Sequence, residues 1–307
     1  MHPGTVPEAR ARRAGSEGVI VAEHEVRWCF HTTAMMTDYE RTRDALIDLV
    51  GLRVLEDSRL EDPRLGRRGG MAQIADGILE IGEPIVEGGA TDRFVKRFGS
   101  HMSSIALQVA DIDATVAHLE RHDVRVASRP MPEVVFTTPG DTAGISFEWY
   151  GGSSPRDPRW GGPLPDLVKP PLLDVIEIAF AGCVVADPRA DARRLAELCG
   201  TAVTFVDEAA EPGHPVAGIS IGDCTLALFP LPESEHASHD LWAWAYARPQ
   251  AANLGLRVES VDRAADALAG AGVAITRRDS RMVVIDPAAT GGVTLVLVEA
   301  RLPSDPR

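Results

Sequence analysis

The chain repeats itself at a long, nearly constant period. "MMTDYERTRDALIDLVGLRV" and "VVADPRADARRLAELCGTAV" each pass from an aspartate through a helix-sized stretch to a glycine, Asp38 to Gly51 and Asp187 to Gly200, 149 residues apart at both ends. "IADGILEIGEP" matches "IGDCTLALFP" through Asp76 and Asp223, 147 apart. "IALQVADIDATVAHLERHDVRV" matches "LGLRVESVDRAADALAGAGVAI" through Asp113 and Asp262, 149 apart, and "TPGDTAGISFEW" matches "DPAATGGVTLVL" through Gly144 and Gly292, 148 apart. Constant offsets of this kind mean two halves that repeat one architecture.

Each half divides again, because Asp38 and Asp111 open similar helices after similar strands, 73 residues apart. In the first unit the periodicity predicts a strand at 26–36, a helix at 38–50 and strands at 52–57, 69–75 and 77–83. The fold class is therefore α+β: four βαβββ modules paired into two curved-sheet domains, each a cup or half-barrel. An aspartate at each helix start supplies an N-cap acceptor, and Gly51, Gly200 and Gly272 stand where a helix end favours a left-handed residue. The expected organisation is a disordered lead at 1–24, an N-terminal domain at 25–150, a Gly/Pro-rich linker at 151–171, a C-terminal domain at 172–300 and a tail at 301–307. Residues 234–250 form an insertion whose Trp242 and Trp244 serve either as core or as a lid.

Composition narrows the partners. A net charge of −14 with no lysine or arginine block argues against nucleic acid. No stretch reaches the roughly 20 apolar residues of a membrane span, and no secretory signal opens the chain, so a cytoplasmic location is the default. Cys29, Cys183, Cys199 and Cys224 lack CxxC spacing and read as reduced, buried thiols. A small-molecule partner remains, with a monomer or a homodimer both feasible.

Strand alternation sorts the faces. Ile105, Leu107 and Val109 form a helix-packing set, which turns Ser104, Ala106 and Gln108 the other way. In the first strand Phe30, Thr32, Ala34 and Met36 take the helix side, and Cys29, His31, Thr33 and Met35 the opposite one. Ser146, Glu148 and Tyr150 likewise oppose Ile145, Phe147 and Trp149, and Glu80 opposes Leu79 and Ile81. In a curled sheet, His31, Glu80, Ser104 and Glu148 then converge from four strands. Two buried carboxylates need a counter-charge, and a divalent cation held by one imidazole and two carboxylates brings the sum to zero. Zinc, manganese, iron, cobalt or nickel suits such donors. The bland alternatives are a hydrogen-bonded core histidine and outward-facing glutamates.

These residues resemble the vicinal oxygen chelate superfamily, the glyoxalase and bleomycin-resistance-like fold, over nearly all of residues 25–300. "TPGDTAGISFEW" is similar to the segment before the final glutamate in methylmalonyl-CoA epimerase-like members. The resemblance implies metal ligands at His31, seven before Asp38; at Glu80 in "ILEIGEP"; and at Glu148, four after Gly144. It also implies a histidine seven before Asp111, where Ser104 stands, so that Ser104 leaves an open coordination position or His101 substitutes. His118 and His122 are expected to be exposed. The implied function is a metal-dependent isomerase, epimerase or lyase acting on a small carbonyl or vicinal-oxygen substrate through a metal-stabilised enolate-like intermediate. Glu148 and Glu80 would move protons, and Ser104, Gln108, Thr33 and Tyr150 would contact substrate. The alternatives are a metal-free small-molecule or antibiotic binding protein and an extradiol-type dioxygenase, the latter lacking its second histidine. In the second half the equivalent positions are Phe180, Ala227, Asn253 and Val296, which hold no ligand set. That half is expected to be structural, with Arg257 as its one candidate for meeting an anion.

Overall fold

The structure, a computed structural model, describes residues 24–55, 61–62, 65–211, 214–231 and 250–302. The first half runs β1 (Val26–Met35), α1 (Tyr39–Val50), β2 (Arg53–Val54), β3 (Glu61–Asp62), β4 (Arg67–Ile74), β5 (Gly77–Pro84), α2 (Ala90–Phe98), β6 (His101–Val109), α3 (Ile112–Arg121), β7 (Val126–Met131), β8 (Val134–Thr137) and β9 (Phe147–Tyr150). The second half runs β10 (Val175–Val185), α4 (Pro188–Cys199), β11 (Val203–Glu211), β12 (His214–Ser220), β13 (Thr225–Pro230), β14 (Gln250–Val258), α5 (Val261–Gly270), β15 (Ile275–Arg278), β16 (Met282–Ile285) and β17 (Leu295–Val298).

The first sheet has the order β2-β4-β5-β1-β6-β9-β8-β7 with β3 beside β4, and the second has β11-β12-β13-β10-β14-β17-β16-β15. The two orders correspond strand for strand. In both, the first strand of the half pairs antiparallel with the first strand of its second module and parallel with the last strand of its own.

Local chemistry sets the helix ends. Asp38, Asp111 and Asp187 accept from backbone N–H groups of the first turns of α1, α3 and α4, a cap worth about 1 kcal/mol each. The fourth helix differs from the expectation, since Ser260 caps α5 and Asp262 lies within its first turn. Gly51 and Gly200 end α1 and α4 at φ 70° and 65°, where a side chain would be strained. Two further differences concern module one. The strand expected at 52–57 contracts to Arg53–Val54, with 56–57 outside the described residues, and β4 begins at Arg67, two residues early. The helix α2 was not anticipated; Thr91 and Val95 on its inner face are buried.

The first strand carries a β-bulge that the alternation does not reveal. The β1–β6 ladder pairs Cys29 with Leu107 and then His31 with Ala106, leaving Phe30 as the extra residue. Cys29 consequently joins the helix-side core, and Phe30 stacks on Tyr150 at 4.5 Å, the reverse of the expected sides for this pair. The bulge is held from outside. Arg159, in the stretch read as a linker, donates to Cys29 O at 2.7 Å and Phe30 O at 2.5 Å, and Asp223 of the second half accepts from Cys29 N at 2.9 Å. The relation is reciprocal, because β10 has its own bulge between Ile178 and Phe180, and Asp76 accepts from Ile178 N at 2.7 Å.

The four cysteines are unpaired and buried. No helix among the described residues is long and apolar enough to cross a membrane. Trp242 and Trp244 lie outside the described residues.

Candidate metal centre

Bulge and alternation together aim three donors at one point. His31 on β1, Glu80 on β5 and Glu148 on β9 each offer a ligand atom, all within 4.8 Å of one another. His31 Nε2 lies 3.3 Å from Glu80 Oε2 and 3.8 Å from Glu148 Oε2. The ring is 1% exposed and Glu148 5%. Neither nitrogen of His31 makes a hydrogen bond among the described residues, and Glu148 Oε2 makes none either. Buried donors without partners are costly unless something else satisfies them. One imidazole nitrogen and two carboxylate oxygens at this spacing can hold a metal ion, the chemistry of a His-Glu-Glu set.

A fourth charge belongs to the group and was not foreseen. Arg67 projects from β4 toward β5 and donates to both oxygens of Glu80, at 2.6 and 2.7 Å. Its path crosses Gly82, where a β-carbon would come within 2.9 Å of Met35 Sδ and 3.2 Å of Arg67 Cδ. Thr33 Oγ1 donates to Glu80 Oε2 at 3.2 Å. Burial opposes ionisation of Glu80, yet Arg67 and His31 outweigh it and hold that carboxyl well below the usual range. Glu148 has no such partner. Burial is its largest influence and pushes its pKa up, against the opposing pull of His31. The two carboxyls are thereby driven apart in acidity, one firmly ionised and one inclined to hold a proton.

Beside the group lies a cavity of about 630 Å³, whose lining includes Arg67 but not His31, Glu80 or Glu148. Arg67 belongs both to its wall and to the Glu80 pair, and Phe136, cross-strand neighbour of Glu148, lies on another wall. Ser104 lines it, as do Ser146 from the strand approach to β9 and Phe94 from α2. Gln108 and Tyr150 lie outside that lining. Gln108 Nε2 donates to Val109 O and Gly152 O, and Tyr150 donates to Ser153 O while stacking on Phe30. Trp160 packs edge-on against Trp28 and Phe30, so aromatic side chains fill this end of the cup and leave the other end open.

His101 reaches the cup face because a second bulge intervenes: Thr33 pairs with Ser104, but Ala34 pairs with Met102 and Met35 with His101. It remains four residues along β1 from the level of His31 and stands against Phe94, ring centroids 6.3 Å apart, outside the group of three. Glu83, on the same strand as Glu80, accepts from Tyr39 N and Arg68 at the start of α1. His118 and His122 are half-buried rather than exposed, against the second half, where Glu197 O and Arg194 meet them. Arg257 is paired with Glu177 at 2.8 Å, a local carboxylate. Arg67 was the main omission. The "RR" pair reads as a solvated doublet, and a strand expected at 69–75 leaves Arg67 without a face, whereas β4 begins at Arg67.

A family model described as Glyoxalase/Bleomycin resistance protein/Dioxygenase superfamily matches residues 28–158. Among solved structures, a mutant of 4-hydroxymandelate synthase from Streptomyces coelicolor is similar at 12% identity and a TM-score of 0.65, over 91% of this chain and 95% of that one. A variant of homoprotocatechuate 2,3-dioxygenase from B. fuscum is similar at 14% identity and a TM-score of 0.60, over 94% and 76%. Streptomyces coelicolor methylmalonyl-CoA epimerase in complex with 2-nitronate-propionyl-CoA is 22% identical over 42% of this chain and all of that one, at a TM-score of 0.39. No curated protein matches. At these identities the first two likenesses establish fold, across both halves. The matched residues are the half that carries His31, Glu80 and Glu148, and that half is similar to the glyoxalase, bleomycin resistance protein and dioxygenase superfamily.

Proposed function

We propose that the N-terminal half is a metal-dependent enzyme of isomerase, epimerase or lyase type, acting on a small carbonyl or vicinal-oxygen substrate. The observation that carries this reading is the convergence of His31, Glu80 and Glu148 within 4.8 Å, with His31 and Glu148 Oε2 buried and without hydrogen bonds among the described residues. A bound divalent ion would supply Lewis-acid polarisation of a substrate oxygen. Arg67 and Thr33 fix the orientation of Glu80 and keep it anionic. Glu148, with its acidity weakened by burial, is the better group to take a proton from a substrate carbon and return it. The fill of Trp28, Phe30, Tyr150 and Trp160 keeps water from one end of the cup, so substrate enters from the other.

Elemental analysis of protein purified without chelator tests the reading. A stoichiometric metal is expected, with His31→Ala or Glu148→Ala weakening its affinity by about 100-fold or more, since even supporting groups around a metal are worth 10–100-fold. A metal-free preparation that takes up no added manganese or zinc sinks the proposal. Arg67 favours a second reading, a metal-free small-molecule or antibiotic binding protein, because it already neutralises Glu80. Ligand binding by protein devoid of metal and indifferent to chelator would select that one.

A further inference from the structure

The chain carries 45 acidic against 31 basic residues, yet the wall of the 630 Å³ cavity inverts this balance. Its charged residues are Arg67 and Arg129, with no aspartate or glutamate among those lining it. Hydroxyl donors, Ser128 and Ser146 among them, stand in the same wall, and Phe94 and Phe136 supply apolar surface. Arg67 is committed to Glu80 through both carboxylate oxygens. Arg129 is the more available cation: its side chain is 39% exposed, and its ion pair is to Asp113, itself 79% exposed, with Pro132 O as a further acceptor. A solvent-exposed pair of this kind holds weakly and can be exchanged for a better acceptor.

We infer that the cavity selects a small organic oxyanion, a carboxylate or a phosphate, whose charged end is met by Arg129 on β7 and whose carbon skeleton lies between Phe94 and Phe136. The inference rests on the function proposed above and names the substrate class of that same site. The volume lies within the range of pockets for compact ligands. A guanidinium fork suits both carboxylate and phosphate, so the donor chemistry is shared by the two.

Butyrate, monobutyl phosphate and neutral butyramide, which share an alkyl tail and differ at the head, separate the possibilities by titration calorimetry of the full chain at low and high salt. Both anions, or one of them, should bind at least about fivefold more tightly than the amide, with the difference shrinking as salt screens it. The stronger of the two identifies the head group. Arg129→Ala should lower anion affinity about three- to tenfold and leave butyramide unchanged, with Arg129→Lys intermediate. A thermal melt establishes that both variants fold. Equal binding of amide and anions, or undiminished anion binding by folded Arg129→Ala, overturns the inference. Parallel manganese titrations separate the two proposals. Metal uptake without anion preference removes this inference alone, whereas anion preference in protein that takes up no metal removes the metal-centre reading and leaves the anion site standing.

Discussion

The two sheets have the same strand order and opposite interiors. In the first cup, His31, Glu80 and Glu148 meet, and Arg67, bonded to Glu80, lines a cavity beside them. In the second, Phe180 stands in place of His31, Ala227 in place of Glu80 and Val296 in place of Glu148, and these belong to a closed apolar cluster with Phe229, Val184 and Val284. Glycines make room for the filling: a β-carbon at Gly255 would lie 2.3 Å from the Phe180 ring and one at Gly218 would lie 2.1 Å from the Phe205 ring. The comparison teaches that the sheet itself is indifferent to what its concave face holds. A curled sheet must fill its cup, either with side chains at interior density or with polar groups that need a ligand to balance them.

Exchanging residues between equivalent positions breaks that comparison most sharply. Val296→Glu puts a carboxylate among apolar side chains at a position 2% exposed, and should cost about 4 kcal/mol or more, up to failure to fold. Glu148→Val, its converse, should be neutral or stabilise the chain by about 1–3 kcal/mol while abolishing metal binding. Urea midpoints for the pair check both signs. Phe180→Ala, which empties the second cup, should cost about 3–4 kcal/mol and leave metal affinity untouched.

The reciprocal aspartates allow a finer test. Asp223→Ala and Asp76→Ala each remove the acceptor of a strand N–H, and each should cost about 1–2 kcal/mol. Only Asp223→Ala frees the bulge next to His31, so it alone should also weaken metal binding in calorimetry.

The smallest expected effect concerns the seam between halves. His24 bonds Thr115 Oγ1 at 3.1 Å and Leu198 O at 2.9 Å, and its ring stacks on His118 at 4.2 Å. Burial, then the neighbouring His118 and Arg121, lower its pKa from 6.5 to about 4. The folded chain therefore binds this proton less tightly than the unfolded chain. Its contribution is complete above pH 6.5 and lost as pH falls toward 4. After allowance for partial exposure, this amounts to about 1 kcal/mol. His24→Asn should flatten that part of a stability–pH profile measured by denaturant unfolding.

The architecture was legible because it was written twice. Asp38 and Asp187, Gly51 and Gly200, and Asp76 and Asp223 mark the same turns in both halves, and a long-period match survives local ambiguity. The side of a strand on which a residue lies was legible wherever alternation runs unbroken, as at Glu80 between Leu79 and Ile81. It failed at Cys29 and Phe30, because a bulge shifts alternation by one residue and this one is fixed by Arg159 and Asp223, 130 and 194 positions away. Arg67 escaped for a related reason: its partner Glu80 is set by a ladder register that pairs Arg67 with Pro84, which no local pattern states. The helix α2 carries "ATDRFVKRF", whose polar residues dilute a short apolar face.

The reciprocal clasp gives the silent half an occupation. Asp223 sits at the tip of a turn in the filled cup's own sheet, yet the strand it braces is the one that aims His31. Severed from its twin, the polar cup would keep every donor in its primary structure and lose the brace that points one of them. A gene coding only for the N-terminal half would thus encode the ingredients of the centre without the jig that assembles them.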